Sequence, residues 1–204
     1  MLFRSIEDCK VHIGVDGVAR FMGTMWHGSL CIGYGVYPVE DPSAKELEYT
    51  PCISPVGAGC EKNWVMIGDK VIYKWHPLTV GHMERDGKQW RFVQEGSQET
   101  HWLFRDVRGS SNGWWRAETQ EWWLAVHLVE HGNPRVYYHM LVVLDSEKKI
   151  KKWSKIFKLG DDKIEYCLGL VIHDGKLIMS YSGWDRSAKL GIWSLEEVER
   201  EMFV

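Results

Sequence analysis

Four stretches of this chain share one layout, and that repetition limits its fold more than any other feature. EDCKVHIGVDGVARFMGTMW from Glu7, EKNWVMIGDKVIYKWHPL from Glu61 and EYCLGLVIHDGKLIMSYSGW from Glu165 each open with a carboxylate, continue as a strand, turn tightly at Asp or Gly, and run back. RGSSNGWWRAETQEWWLAVHL from Arg108 has the same layout with Arg in place of the acid. The starts at 7, 61, 108 and 165 are 54, 47 and 57 residues apart, near the length of a propeller blade of four strands. β-rich runs such as RFVQ, RVYYHMLVVLD and KLGIWSL fill the intervals, and Asp16-Gly17, Gly68-Asp69, Asp86-Gly87 and Asp174-Gly175 supply hairpin turns. Only SLEEVEREMF, Ser194 to Phe203, reads as a helix, with Ser194 as cap, Glu197 three residues on, and Leu195, Val198 and Met202 on one stripe. The expected architecture is an all-β propeller with about four readable blades, one domain over residues 1–204, ending in a short helix.

Blade logic gives the polar residues a meeting place. Innermost strands of a propeller converge on its axis, so residues that begin equivalent strands gather at one mouth of the channel. Glu7 and Asp8, Glu61 with Lys62 and Asn63, Arg108 with Asn112, and Glu165 are therefore predicted to face one another. A ring of acids, a base and an amide suits carbohydrate chemistry. Twelve tryptophans add ring faces that stack on sugars or fill sheet interfaces. Alternation sends neighbouring side chains to opposite faces of a strand, so only Trp114 or Trp115, together with Trp184 at a loop, is assigned to sugar contacts. The first repeat begins close to Met1. The expectation is a four-bladed or incomplete propeller, or a blade supplied by another chain or an alternative start. The exposed N-terminal sheet edge then offers a route to a homo-oligomer.

Composition removes other classes. With 204 residues, 45% of them apolar, the chain suits a folded domain. A net charge of -3 provides no basic field for nucleic acid. The N-terminus has early charges and no apolar core segment, and no run of about 18 apolar residues occurs, so a cytoplasmic protein without a membrane partner is expected. Five cysteines without a C-x-x-C pair read as reduced core thiols. No H-E-x-x-H, Cys-His cluster, G-x-G-x-x-G, P-loop or G-x-S-x-G motif is present, so neither a metal nor a cofactor is expected.

Several motifs carry a resemblance. IEDCKVHIGVDGVARFMGT resembles the E-D-P-R segment of the five-bladed β-propeller enzymes of glycoside hydrolase family 130, the mannoside phosphorylases and mannosidases, and of related β-mannosyltransferases. EKNWVMIGDKVIYKWHP is similar to the E-K-N-W-x-P-F segment of propellers fused to glycosyltransferases. FRDVRGSSNGWW, EWWLAVHLV, RVYYHMLVVLD and IEYCLGLVIHDGKLIMSYSGWDRSAKLGIW continue that likeness to the C-terminus. The resemblance implies a propeller of the five-bladed type, with Asp8 as proton donor and Lys62, Arg108, His127 and Asp185 near anion and sugar subsites. Cys9 and Lys10 stand where the motif has Pro and Arg, and a lysine is a point charge rather than a bidentate fork.

Glycosyl transfer needs an acid on the leaving oxygen and a carboxylate or external anion opposite. Asp8 beside Glu7 is the candidate acid, and Glu165 the second carboxylate. Lys62 and Arg108 are candidate holders of phosphate or a sugar-nucleotide diphosphate, with Gly109 admitting close backbone approach. Each has a plainer reading: a turn cap for Glu7-Asp8, ion pairs within the ring for Lys62, Arg108 and Glu165, a turn residue for Asp185, and core histidines for His127 and His139. The functional expectation is a carbohydrate-active protein of glycosidase, phosphorylase or glycosyltransferase type, binding a carbohydrate, sugar phosphate or sugar nucleotide. The alternatives are a non-catalytic glycan-binding or scaffolding propeller that assists a glycosyltransferase, and a purely protein-binding one.

Overall fold

A computed structural model describes residues 6–14, 16–37, 49–57 and 59–203. Blade 1 comprises β1 (Ile6–Ile13), β2 (Ala19–Trp26), β3 (Leu30–Tyr37) and β4 (Tyr49–Ile53), paired antiparallel in that order. Blade 2 comprises β5 (Val65–Ile67), β6 (Lys70–Trp75), β7 (Leu78–Asp86) and β8 (Gln89–Gln98). A 3-10 turn at Trp102–Asp106 leads to blade 3. There β9 (Arg108–Gly109) and β10 (Trp114–Arg116) both pair with β11 (Glu121–Glu130), followed by β12 (Val136–Leu144) and β13 (Ile150–Trp153). Blade 4 comprises β14 (Glu165–His173), β15 (Lys176–Gly183) and β16 (Ser187–Ser194), capped by α1 (Leu195–Met202). The fold is an all-β propeller with a short C-terminal helix.

Side-chain alternation in β11 shows how the blades stack. Leu124 and Val126 pack with Val65, Ile67 and Ile72 of blade 2, whereas Trp123 and Ala125 pack with Cys167, Leu170 and Met179 of blade 4. Both faces of the strand are thus buried, and its sequence reads as an almost unbroken apolar run for that reason. Met22, Ile32 and Tyr34 meet Trp64, Met66 and Phe92 in the same way between blades 1 and 2. Each fully buried aliphatic or aromatic side chain contributes roughly 1.5–3 kcal/mol relative to exposure.

Three details differ from the sequence reading. Blades 1 and 2 are one continuous sheet, because β4 and β8 pair in parallel at Cys52 with Trp90 and Ile53 with Arg91. The second-blade turn falls at Gly87-Lys88, with Asp86 still in β7. Cys60 is exposed, although Cys52 and Cys167 are core thiols as expected. The helix begins where the cap predicted it, the Ser194 hydroxyl accepting from the Glu197 amide at 3.4 Å. Among the described residues no helix is long and apolar enough to cross a membrane.

Candidate functional site

β1 carries a bulge that re-aims its first residues. Glu7 pairs with Thr24 but Lys10 with Met22, so Asp8 and Cys9 together face only Gly23. A Cβ on Gly23 would lie 2.8 Å from the Glu7 carbonyl, so glycine leaves the room that the bulge needs. Asp8 adopts a left-handed backbone with φ 53°. Asn63, Trp184 and Asp185 do the same, and these are four of the seven described non-glycine residues with positive φ. Strained backbone concentrates at functional sites.

The four belong to one neighbourhood. Asp8 remains exposed as a residue, yet its carboxyl is partly withdrawn from water. Burial pushes the carboxyl above its ordinary value, with Lys10 pulling it down, Glu7 pushing it up, Lys62 pulling it down and Asp185 pushing it up. Lys10 is buried beneath, its ammonium donating to the Trp64 carbonyl at 3.2 Å. Burial lowers its pKa to about 8 against the opposing pull of Asp8, Cys167 and Cys9. From blade 4, the Tyr166 hydroxyl donates to Asn63 Oδ1 at 3.5 Å. Burial, followed by the nearby Asp8 charge, raises its phenol well above the usual value.

Blade 3 completes the rim. Arg108 lies opposite His127 in the β9–β11 pair. His127 is 2% exposed, shares a 2.8 Å hydrogen bond between Nδ1 and the Ser110 hydroxyl, and packs against the rings of Tyr137 and Tyr166. Burial, with His139, Arg108 and Lys10 adding repulsion, lowers its pKa to about 3. It is a neutral hydrogen-bonding ring near pH 7. No ion pair engages Lys62 or Arg108 among the described residues, so both cations stay available to an anion. They share a groove of about 550 Å³ along the boundary between blades 2 and 3 with Lys74 and Arg105. Trp184, 41% exposed, stands beside Asp185 in the β15–β16 turn.

Other expected members lie elsewhere. Glu61 is 7% exposed and accepts from Ser54 at 2.6 Å, from the Trp64 indole at 3.1 Å and from Tyr73 at 3.2 Å, which ties the entry of blade 2 to its own core. Asn112 braces three blades, accepting from the Met66 amide at 2.9 Å and donating to the Val11 carbonyl at 3.3 Å. Glu165 is wholly buried, with Oε2 accepting from the Leu159 amide at 3.0 Å and Oε1 without a partner among the described residues. Glu7 is exposed beside Asp8. Trp114 borders a cleft at the far end of the axis. Lys10, Ser110 and Tyr166 were not assigned to the site from sequence. Alternation along β14 was the available signal for Tyr166, since a carboxylate at 165 turned into the blade sends residue 166 the other way. Among the described residues, no group of three or more His, Cys, Asp or Glu side chains is arranged to hold a metal ion.

The fold is a β-propeller, and solved structures that share it include carbohydrate-active enzymes. β-1,2-Mannobiose phosphorylase from Listeria innocua, solved with β-1,2-mannobiose, superposes with a TM-score of 0.69 at 14% identity, covering 97% of this chain and 60% of the enzyme. A glycosyl hydrolase from Bacteroides ovatus gives 0.61 at 13% identity, covering 93% of this chain and 65% of that one. MPT-1, a GDP-Man-dependent mannosyltransferase from Leishmania mexicana, gives 0.59 at 15% identity, covering 98% and 71%. This chain therefore spans somewhat under two thirds of the length of the first two. No protein-family model matches the sequence, and no curated protein is similar to it in sequence.

Proposed function

We propose that the mouth makes or cleaves a glycosidic bond, with Asp8 delivering a proton to the glycosidic oxygen. One observation carries this reading: Asp8, Lys62, Asn63, Tyr166 and Asp185, drawn from three blades, share one neighbourhood in which three of them hold left-handed backbone. The reaction passes through an oxocarbenium-like transition state. The bond between the anomeric carbon and the leaving oxygen breaks, and its electron pair and the Asp8 proton go to that oxygen. The new bond comes from water, a phosphate oxygen or an acceptor hydroxyl. Partial burial suits Asp8 to this role, because a raised proton affinity keeps some of the acid form at higher pH.

Asp185 is the better second carboxylate, since Glu165 is engaged by the Leu159 amide while Asp185 is near enough to raise the proton affinity of Asp8. Lys62 and Arg108 are the anion holders, for the phosphate of phosphorolysis or the diphosphate of a sugar nucleotide. Asn63 and Tyr166 orient sugar hydroxyls, and Trp184 offers an indole face to the ring. The engagement of Glu165 inside the blade also favours a second reading, a glycan-binding propeller without turnover.

One experiment separates the two. Thermal shifts and turnover are measured with β-1,2-mannobiose, inorganic phosphate and GDP-mannose, for the wild type and Asp8→Asn. An enzyme loses turnover by at least about 100-fold in the variant while keeping its ligand-induced stabilisation. Stabilisation without turnover, unchanged by the substitution, establishes the binding module instead.

A further inference from the structure

The innermost strands have two ends, and only one makes the mouth. β1 contributes Asp8 there and then runs through Val11 to Ile13, which border a cleft of about 1020 Å³. β14 contributes Tyr166 at the mouth and Leu168 to Val171 at the cleft, and the β5–β6 turn contributes Gly68 and Asp69. The cleft therefore lies at the opposite end of the axis. Cys9 and Lys10, which follow Asp8 in β1, form its inner limit.

Three indoles, Trp114, Trp115 and Trp122, border this space. Trp115 is 37% exposed, and its ring lies 5.1 Å from that of Trp122 at an angle of 47°. Gly68, at φ +65°, brings the turn against Trp122, where even a Cβ would stand 3.2 Å from the ring. His12 sits beside Trp122 with ring centroids 6.4 Å apart, and its Nε2 is buried without a partner among the described residues. Asp69, Lys148, Ser146 and Ser180 supply further polar groups.

We infer that this cleft is a second ligand site that binds a neutral saccharide, with a pyranose ring stacked on Trp115 and its hydroxyls directed to the polar edge of Asp69, Ser146, Lys148 and Ser180. A purely apolar occupant would cover Asp69, Ser146, Lys148 and Ser180 without replacing their water, at a desolvation cost that hydroxyls remove. A strongly charged ligand has no set of like charges to meet, because Asp69 is paired with Lys70 at 3.4 Å, the buried Lys10 ammonium donates to the Trp64 carbonyl, and Lys148 is left alone among the described residues. A pyranose matches the remaining chemistry, with an apolar C–H face for the indole and a rim of hydroxyls for the polar groups. The cleft lies at the upper end of the size range of small-ligand pockets, which leaves room for more than one ring. This inference uses none of the Asp8 chemistry and stands or falls separately from it.

The test follows the indole N–H resonances of the full chain by NMR during titration with mannotetraose and cellotetraose. The expected result is saturable shifts of the Trp114, Trp115 and Trp122 signals, in the wild type and in Asp8→Asn alike. Trp115→Ala weakens this binding about tenfold, while Trp115→Tyr, which retains an aromatic platform, keeps most of it. Absence of shifts at these three signals with both saccharides overturns the inference. So does binding lost equally in Asp8→Asn and Trp115→Ala, which means one site rather than two. Concentration-dependent dimerisation that Trp115→Ala disperses means that a second copy of the chain occupies the cleft, and it also overturns the proposal.

Discussion

At the residue scale, Asp8 lies near a buried lysine whose charge opposes the effect of burial on its carboxyl. Lys10 follows the bulge and points into the boundary between blades 1 and 2, where the Trp64 carbonyl is its hydrogen-bond acceptor. Its positive charge pulls the Asp8 proton affinity down against the larger effect of burial. In Lys10→Met that pull disappears and the Asp8 pKa rises, so the alkaline limb of a pH-rate profile, where the proton donor is lost, moves to higher pH, as does the carboxyl titration followed by NMR. The exchange removes a buried ammonium but takes this donor from the Trp64 carbonyl, so a stability loss of about 1–3 kcal/mol is expected beside the shift. A downward shift would mean that Lys10 acts on Asp8 only through packing. The left-handed backbone at Asp8, Asn63 and Asp185 fits residue types that enter that region more readily than most. Trp184 at φ 55° lacks that tolerance, and its backbone amide is held by the Ile164 carbonyl at 2.9 Å.

At the element scale, contact between blades sets the tolerance of the innermost strands. Gly109 of β9 lies so close to blade 2 that a Cβ would stand 2.4 Å from the Asn63 carbonyl and 2.6 Å from Val65 Cγ1. Gly109→Ala should destabilise the fold by roughly 1–3 kcal/mol through overpacking, read as a lower denaturant midpoint with an unchanged slope. Asn63 would be displaced with it, so ligand binding at the mouth should weaken in parallel. An alanine variant as stable as the wild type would show that β9 can withdraw from β5. Much of this level was legible in the sequence. The hairpins around Asp16-Gly17, Gly68-Asp69 and Asp174-Gly175 and the capped helix follow from local turn and capping chemistry. The break between β9 and β10 was not legible, because Ser110 and Ser111 leave the strand to serve tertiary partners, His127 and the Ala125 amide.

At the scale of the whole molecule, two buried histidines couple stability to pH. His127 and His139 face each other across the β11–β12 pair, and burial lowers their pKa values to about 3 and about 4. The charged or titratable groups around His127 are His139, Arg108, Lys10, Tyr137 and Tyr166, none of which offers it an anion. In the unfolded chain both imidazoles take up protons near the ordinary value of 6.5, while the folded protein does so only near 4 and 3. Stability from these groups is therefore present above 6.5 and declines as pH falls from there toward the folded values. Urea midpoints measured from neutral to mildly acidic pH should fall, and His139→Leu should flatten the decline. A midpoint that rises on acidification would contradict the burial of this pair.

The sequence alone determined the all-β repeat, the turns, the terminal helix and the return of polar residues at the head of each blade, because alternation and turn propensity are local. It also picked out Asp8, Lys62 and Asn63 as neighbours, since the order of blades around an axis follows from the repeat. Tertiary structure decided which side of a strand each neighbour presents. Bulges at Glu7–Lys10 and Cys167–Gly169 shift register within the innermost strands, and one residue of shift exchanges the face shown to the channel for the face shown to the next blade. The first bulge is why Lys10 lies beneath Asp8, while ahead of the second the regular alternation of β14 turns Glu165 into the blade and Tyr166 toward Asn63. The joining of blades 1 and 2 through β4 and β8 likewise depends on how two rims meet in space, a contact between distant segments that no local pattern encodes.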